Sequence, residues 1–229
     1  MGHLNNLEKI VGDLKGKKIL DIGAGWGRFL MEGASRGYKI SGIEIDKVKI
    51  EGARREAADR GLEINIVQAA AEKMPFADAS FDFINAGEMI EHVRDPKKVL
   101  GEIHRVLRPG GKAYISVHNR FGLYDTHFRL YFLGWLPRRL ANSYLSLFRR
   151  HKDYANAIDL HNIRDMHYFT FSQFHKLVAG LGFKIADIRE LKINRKYNLM
   201  RLPILSLYKT LLRPFYFSTF HILLTKHEK

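Results

Sequence analysis

The stretch ILDIGAGWGRFL, residues 19–30, decides the fold that this sequence predicts. A short apolar run leads into three alternating glycines, Gly23, Gly25 and Gly27, and a helical pattern follows. Glycine permits a tight turn, lets a ligand approach the backbone closely, and leaves the amides of a helix N-terminus accessible. A dinucleotide-binding loop would place its third glycine where Arg28 stands. The spacing therefore predicts a ligand loop of another kind, with an ordinary glycine-rich turn as the alternative.

Two acidic residues indicate what this loop binds. Asp21 precedes the first glycine by two residues, and Glu44 lies at the end of the next predicted strand. A carboxylate beside the loop favours a cationic amine and would repel a pyrophosphate. Glu44 also has the position at which doubly wound folds bind ribose hydroxyls. The two carboxylates therefore predict a nucleoside ligand that carries a cation in place of phosphates.

Short apolar runs alternate with helical patterns along most of the chain. Strands are predicted over residues 17–20, 38–45, 62–68, 81–86, 112–117, 183–191 and 217–226, and helices over 27–36, 46–60, 95–107 and 170–182. Alternation at this pitch predicts an α/β fold with a doubly wound, mostly parallel, seven-stranded sheet. The length of 229 residues favours a single domain over residues 1–229.

The alternation breaks after Val117. Residues 119–160 are rich in aromatic residues, leucine and arginine, and they predict a helical insertion, or lid, after the fifth strand. Charge is also uneven, because residues 1–118 contain 19 basic and 17 acidic side chains whereas residues 119–229 contain 19 and 7. This asymmetry favours an anionic partner such as a membrane surface, a nucleic acid or an acidic substrate. A solvated basic face is the alternative.

The composition narrows both the chemistry and the compartment. The sequence has no cysteine, which excludes a disulfide and a thiolate nucleophile or metal ligand. The N-terminus lacks the basic-then-apolar pattern of a signal peptide, and no uncharged apolar run reaches the length of a membrane span. We therefore expect a cytoplasmic protein that is at most peripheral to a membrane.

Further motifs follow the glycine loop in order along the chain. They are AAAEKMPFADASFD at 69–82, GEMIEHVRDP at 87–96 and EIHRVLRPGGKAYISV at 102–117. In these motifs the chain resembles the class I S-adenosylmethionine-dependent methyltransferases, closely over residues 17–118 and loosely over its last two strands. The resemblance implies the Rossmann-like methyltransferase fold, S-adenosylmethionine as the cofactor, and methyl transfer as the activity.

The resemblance also implies roles for individual residues. Asp21 would contact the amino end of the methionine moiety, Glu44 the ribose and Ile45 the adenine. Gly87 would lie near the transferable methyl group. The other implied cofactor contacts are Gly23, Ala24, Gly25 and Gly27 in the loop, and Ala71 and Glu72 along the adenine. Ala70 departs from the family pattern, because it stands where an aspartate commonly contacts the adenine amine.

The segment GEMIEHVRDP is similar to the Glu-x-x-Glu-His motif of the ubiquinone-biosynthesis O-methyltransferases. In that group these side chains are associated with a divalent cation. If the segment is helical, Glu88, Glu91 and His92 share one face and would hold Mg²⁺. His92 is also the expected general base, with Glu91 as the second catalytic residue. The alternative is a common family turn that binds no metal.

The motifs do not specify the acceptor of the methyl group. The insertion and a second apolar-basic stretch at 199–212 favour a lipid-like or quinone-like acceptor and an anionic membrane surface. A small aromatic substrate under a plain lid and RNA are the alternatives. His161 and His167 are candidates to face the site from beneath the lid. A protein of another class, which retains the fold but only binds RNA or a membrane, is the remaining alternative.

Overall fold

The computed structural model describes residues 3–148, 163, 165–197 and 200–228. The strands are β1 (Lys18–Ile22), β2 (Lys39–Glu44), β3 (Asn65–Gln68), β4 (Phe81–Ala86), β5 (Leu107–His118), β6 (Tyr124–Asp125), β7 (Leu130–Tyr131), β8 (Phe183–Asp187) and β9 (Thr219–Lys226). The α-helices are α1 (His3–Val11), α2 (Arg28–Ser35), α3 (Lys47–Asp59), α4 (Pro96–Val106), α5 (Arg138–Leu147), α6 (Phe171–Ala179), α7 (Ile188–Lys196) and α8 (Arg201–Leu207). A 3-10 turn covers Leu133–Trp135, and a π-helix covers Tyr208–Tyr216.

Seven of these strands form one sheet in the order β3-β2-β1-β4-β5-β9-β8. Strands β1 to β5 are parallel, and β9 runs antiparallel between β5 and β8. The strand order changes direction between β1 and β4, and in such sheets ligands bind at the carboxyl ends of the strands at that point. The predicted doubly wound, mostly parallel sheet is therefore confirmed, and the glycine loop after β1 lies at its ligand-binding edge.

Helices pack on both faces of the sheet. One face buries α4 and α6 against the central strands, in a cluster that includes Leu20, Ile84, Leu100, Ile115 and Phe174. The other face buries α1, α2 and α7, in a cluster that includes Leu4, Ile19, Phe29, Phe83 and Ile188. Burial of each large apolar side chain contributes about 1.5–3 kcal/mol. The strand ends that carry the polar residues therefore rest on a well-packed core.

The described part of the segment after the fifth strand contains a hairpin as well as a helix of the predicted lid. It begins with the β6–β7 hairpin and the 3-10 turn, and within the described residues its α-helix is α5. Arg129 and Phe132 have φ angles of +56° and +57°, which lie outside the right-handed helical region. The segment has its own small core of Phe128, Leu130, Leu133, Ala141, Leu145, Ile163, Met166 and Tyr168. The part of the predicted lid at 149–160 lies outside the described residues.

The predicted strand over 183–191 is too long. It ends at Asp187, whose carboxylate accepts hydrogen bonds from the backbone nitrogens of Arg189 at 2.9 Å and Glu190 at 3.4 Å. This side chain satisfies two amides that a helix N-terminus leaves without partners, so the chain turns into α7.

Helix α8 continues directly into the π-helix near the end of the chain. The continuous segment exposes the large apolar side chains Leu202, Leu207, Leu211, Phe215 and Tyr216. None of the helices in the described ranges has both the length and the apolar content to cross a bilayer. Helix α8 and the π-helix together thus expose an apolar surface.

Candidate active site

A cavity of about 520 Å³ opens at the carboxyl ends of β1, β2 and β4. Its volume lies in the range of small-molecule and cofactor sites. Six of the predicted cofactor contacts line it, namely Gly23, Gly25, Glu44, Ile45, Ala71 and Glu72. The other four, Asp21, Ala24, Gly27 and Gly87, are not in its wall, although each lies within two residues of one that is.

The backbone of the glycine loop requires glycine at three positions. Gly23, Gly25 and Gly27 have φ angles of +70°, +55° and +73°. A Cβ atom on Gly27 would also lie only 2.9 Å from the Cβ of Ala53 in α3. Ala24 is buried in the cluster beneath the loop. Gly27 and Ala24 therefore shape the loop by packing, whereas Gly23 and Gly25 face the cavity.

Glu44 holds the glycine loop against β2. Its side chain is buried, and its carboxylate accepts hydrogen bonds from the backbone nitrogens of Gly25 at 2.8 Å, Ile45 at 2.9 Å and Asp46 at 3.0 Å. An ionised carboxylate offers about four acceptor positions. Glu44 therefore retains capacity for a ligand hydroxyl at the cavity wall. The sequence predicted that ligand contact but did not indicate that the same side chain organises the loop.

Asp21 lies behind the loop at the end of β1 and is 4% exposed. Its Oδ1 accepts a 2.6 Å hydrogen bond from Nδ2 of Asn85, near the end of β4. Burial raises the pKa of Asp21 to about 7; the Asn85 hydrogen bond opposes this rise, and the charge of Glu44 adds to it. A nearby ligand ammonium would favour the ionised form. The sequence analysis missed Asn85, although the carboxyl end of a parallel strand is a recognisable position for a site residue.

Glu72 connects two segments of the cavity wall by hydrogen bonds. Its Oε1 accepts hydrogen bonds from the backbone nitrogens of Arg94 at 2.9 Å and Asp95 at 3.4 Å. These bonds join the loop after β3 to the segment before α4. Ala70, the departure from the family pattern, also lines the cavity. Wall residues that the sequence did not indicate are Ile43, Lys49, Ala69, Met89, Val93, Arg94, Asp95 and Lys98.

The segment at 87–94 forms turns and not the helix on which the predicted metal site depended. Glu88 has a φ of +53°, which is an uncommon conformation for a residue with a side chain. Its backbone nitrogen donates to Oγ of Ser116 at 2.5 Å, and that hydroxyl donates to Oε1 of Glu88 at 2.9 Å. These two hydrogen bonds hold Glu88 in the cavity wall, to which His92 also belongs.

A carboxylate–imidazole cluster adjoins this wall. Glu88, Glu91, His118 and His127 offer ligand atoms that all lie within 4.8 Å of one another. Oε1 of Glu91 lies 3.2 Å from Nε2 of His127 and 3.4 Å from Nδ1 of His118. His92, whose Nε2 is 3.9 Å from the same oxygen, is not one of the four. The predicted set of Glu88, Glu91 and His92 therefore shares Glu88 and Glu91 with this cluster. His92 lies at the cavity wall, and the imidazoles of the cluster come from the end of β5 and from the β6–β7 turn.

The centre of this cluster is deeply buried. Glu91 is 1% exposed and His118 is 2% exposed. Burial would raise the pKa of Glu91, but its contacts with His118 and His127 hold that pKa well below its usual range. Burial lowers the pKa of His118, and the Glu91 carboxylate outweighs this effect, so that the net direction is upward. Oε2 of Glu91 and both ring nitrogens of His118 lack a hydrogen-bond partner among the described residues, so the 3.4 Å approach is an ion pair without hydrogen-bond geometry.

Of four further histidines, the sequence analysis indicated His161 and His167 but not His118 or His127. His118 ends β5, a position that signals a site residue in a parallel sheet. His127 reaches the cluster through the turn between β6 and β7, which no local pattern indicates. The backbone nitrogen of His167 donates to the carbonyl oxygen of Glu91 at 2.9 Å, so this residue lies beside the cluster. His161 lies outside the described residues.

Comparisons with known proteins show the family to which the sequence and the fold are similar. Residues 20–115 match the family model described as "Methyltransferase domain". The chain is 34% identical over 175 residues to the ubiquinone biosynthesis O-methyltransferase of Nitrosococcus oceani, and 72% of each chain is covered. It is 40% identical over 110 residues to the protein of the same name from Aeromonas salmonicida, with 48% of this chain and 46% of that one covered. The chain spans about half the length of most of the curated relatives that it matches.

The fold also matches solved structures over nearly the whole chain. An S-adenosylmethionine-dependent methyltransferase from Mesorhizobium loti superposes with a TM-score of 0.63 at 17% identity, covering 97% of this chain and 96% of that one.

Proposed function

Because the chain belongs to the class I S-adenosylmethionine-dependent methyltransferases, we propose that it methylates a hydroxyl oxygen on a quinone-like, small aromatic or lipid-like acceptor. One observation carries this proposal. The part of the cavity wall that holds Glu88 and His92 adjoins the buried cluster around Glu91. A hydroxyl acceptor must lose its proton to become an effective nucleophile. Carboxylates and imidazoles can accept a proton, and both lie at or next to this part of the wall. The O-methyltransferase names of the curated relatives support the same acceptor atom.

The residues of the cavity fit the cofactor that the family uses. Glu44 has an acceptor position left for a ribose hydroxyl, and Asp21, which lies behind the glycine loop and outside the cavity wall, would be the anionic partner of the methionine ammonium. Ile45 and Ala71 offer apolar contacts for the adenine, and Glu72 joins the wall segment after β3 to the segment before α4. S-adenosylmethionine, when bound, supplies a methyl group on a sulfonium that is already a good leaving group. The chain therefore has to align the acceptor and remove its proton.

We assign His92 as the general base that accepts the proton of the acceptor hydroxyl. It lines the cavity, and its ring centroid lies 5.0 Å from that of His127. Glu91 is buried behind the wall and does not line the cavity, so it acts as a positioning residue for the imidazoles around it. This assignment keeps both predicted catalytic residues but gives them different roles.

The acceptor's apolar character is supported by a second surface. The ring centroids of Trp135 in the 3-10 turn and Phe215 in the π-helix lie 5.7 Å apart, which joins the insertion to the C-terminal helical segment. The same two segments carry the exposed side chains Tyr131, Phe132, Leu207, Leu211 and Tyr216. Residues 119–229, which carry this surface, also carry most of the net positive charge. Basic apolar surfaces bind anionic bilayers, so we propose that the acceptor is reached from a membrane surface.

RNA is the competing partner for the same basic region. A groove for single-stranded RNA uses basic side chains and aromatic platforms, and it has little use for leucine. Leu202, Leu207 and Leu211 are exposed on one short segment, which favours a lipid surface.

The test is transfer of a labelled methyl group from S-adenosylmethionine to a set of acceptors. The set contains a catechol with a long alkyl chain, unsubstituted catechol, a long-chain alkylamine and RNA. We expect label on a hydroxyl of the alkyl catechol, less on catechol, and none on the amine or RNA. His92→Gln is expected to lower kcat by about 100-fold or more, because general-base catalysis contributes about 10²–10⁴-fold. Label on the amine or the RNA, with none on the phenols, would refute the proposed acceptor.

A further inference from the structure

We propose that Glu91, His118 and His127, with Glu88 beside them, form a binding site for a first-row divalent transition cation such as Zn²⁺. This cation is not the Mg²⁺ that the Glu-x-x-Glu-His resemblance implies. The residues also differ from that motif, because two of the four donors come from the end of β5 and from the β6–β7 hairpin.

The chemical nature of the donor atoms indicates which metal the cluster would bind. Mg²⁺ prefers oxygen ligands in an octahedral arrangement and retains several waters, whereas imidazole nitrogen suits Zn²⁺ and its neighbours in the first transition row. The cluster offers two imidazoles and two carboxylates. Two histidines and a carboxylate are a common ligand set of metal sites that leave a further coordination position open.

The unpaired polar atoms of the cluster point to a missing partner. Oε2 of Glu91 and both ring nitrogens of His118 are buried and have no hydrogen-bond partner within the described parts of the chain. Buried polar atoms almost always have a partner, and a bound ion is one of the recognised partners of those that have none in the protein. A cation at the cluster would supply a partner to one nitrogen of His118, and it would supply one to Oε2 of Glu91 if both oxygens of that carboxylate bind it.

The distances between the donors fit such a cation. Oε1 of Glu91 lies 3.2 Å from Nε2 of His127 and 3.4 Å from Nδ1 of His118. Tetrahedral ligands at the usual zinc distances of about 2.0–2.1 Å are roughly 3.3–3.4 Å from one another. The two measured separations therefore need little adjustment to become edges of a coordination tetrahedron. His92 lies farther from the same oxygen, at 3.9 Å.

The cluster lies where a cation would affect the proposed reaction. Glu88 belongs both to the cluster and to the cavity wall. An acceptor hydroxyl bound beside Glu88 would lose its proton more readily next to a divalent cation. This use of the site rests on the proposed function, whereas the site itself rests on the donors alone.

The test is metal binding by the full-length protein after removal of metals with a chelator. Titration calorimetry with Zn²⁺, Mn²⁺ and Mg²⁺, together with elemental analysis after dialysis, measures affinity and stoichiometry. We expect one tightly bound Zn²⁺ per chain, weaker Mn²⁺ binding, and no Mg²⁺ binding at the same concentrations. His118→Gln and His127→Gln should each weaken Zn²⁺ binding by at least about 100-fold, because loss of even a partner of a metal ligand costs about 10–100-fold.

Two control variants make the result specific. His92→Gln removes the histidine of the sequence motif, and His175→Gln removes an exposed histidine of α6 outside the site. Both should retain Zn²⁺ binding. The absorption spectrum of the Co²⁺-loaded protein is a second measurement, which reports tetrahedral nitrogen and oxygen coordination without any substitution.

Three other results would each count against the metal site, its proposed ligands or the proposed function. Absence of stoichiometric Zn²⁺ binding and of a tetrahedral Co²⁺ spectrum, in protein that binds S-adenosylmethionine normally, overturns the site and leaves the proposed function intact. Loss of Zn²⁺ binding in His92→Gln but not in His127→Gln would assign the metal to the sequence motif instead. Failure of S-adenosylmethionine to bind would count against the proposed function and not against the metal site.

Discussion

The side-chain amide of Asn85 donates a 2.6 Å hydrogen bond to the buried carboxylate of Asp21, and this bond joins the ends of two adjacent strands. The pair lies beneath the glycine loop, where burial raises the pKa of Asp21 to about 7. A protein gains no stability from an anion held in that position. Its ionised form instead suits a cationic ligand, and we interpret the pair as a binding feature that lowers the stability of the ligand-free protein.

The first prediction concerns Asp21→Asn. Between the ordinary pKa of 3.8 and the raised value of about 7, the folded protein binds more protons at this site than the unfolded chain. The contribution of Asp21 to the free energy of unfolding therefore falls as the pH rises through this interval. The difference in Tm, variant minus wild type, should be larger at pH 8 than at pH 5 without ligand. Asp59→Asn, at an exposed position in α3, should show no such difference. Equal differences at both pH values for Asp21→Asn would contradict the buried-anion interpretation.

The same variant should bind the cofactor poorly. Hydrogen bonds to charged groups contribute about 1.5–3 kcal/mol, so Asp21→Asn should weaken S-adenosylmethionine binding by about 10- to 100-fold. S-adenosylhomocysteine carries the same ammonium group and should be weakened equally. Calorimetric titration measures both constants. A loss confined to S-adenosylmethionine would place Asp21 near the sulfonium instead of the ammonium.

Glu44→Gln should impair both the loop and the ligand site. The Glu44 carboxylate accepts three backbone hydrogen bonds, and an amide group would turn its NH₂ toward at least one of these N–H donors. We expect a lower Tm and S-adenosylmethionine binding weakened by at least about tenfold, since an unsatisfied buried group costs about 1–3 kcal/mol. Glu51→Gln, at an exposed position in α3, is the matched control and should behave as wild type. Weakened binding with an unchanged Tm would mean that Glu44 contacts the ligand without organising the loop.

Glu88 allows the backbone strain at the cavity wall to be measured. Glu88→Gly and Glu88→Ala both remove the carboxylate, but only glycine adopts a φ of +53° without strain. The glycine variant should therefore be more stable than the alanine variant by about 1 kcal/mol. At Glu56, inside α3, the order should reverse, because glycine costs about 1 kcal/mol relative to alanine in a helix. Denaturant unfolding of the four variants gives both differences, and the same order at both positions would show that Glu88 is unstrained.

The apolar surface of the C-terminal segment predicts binding to anionic vesicles. Leu207→Glu combined with Leu211→Glu adds two negative charges to exposed positions. Each charge near an anionic surface changes binding by about 1 kcal/mol, so the double variant should bind about 30-fold more weakly. Val48→Glu makes the same kind of change at an exposed position in α3 and should have little effect. Cosedimentation with phosphatidylglycerol vesicles measures the bound fraction of the wild type and both variants. Equal binding by the three proteins would show that the C-terminal segment does not contact the membrane.

Much of the cofactor half of the site followed from local sequence. Residues 19–30 specify a strand, a tight turn and a helix through neighbouring side chains and backbone preferences, so the position of the loop was predictable. Glu44 was predictable because the next parallel strand ends at the same edge of the sheet. The predicted strand over 183–191 was too long because Asp187 caps a helix, and apolar periodicity does not show which acidic residue does so.

The other half of the site depends on contacts between distant segments. The sequence by itself determined the class of fold, the glycine loop and its carboxylates, because each follows from residues that are close in the chain. Only the tertiary structure brought Asn85 to Asp21 across 64 residues and His127 to Glu91 across 36. It also grouped His118 and His127, and not His92, with Glu88 and Glu91, because a turn, held in part by Ser116, replaces the helix that the Glu-x-x-Glu-His spacing would need. Side chains that meet through packing of separate segments of the chain leave no periodic signal in the sequence, and that is the physical reason why the imidazole cluster appears only in the folded chain.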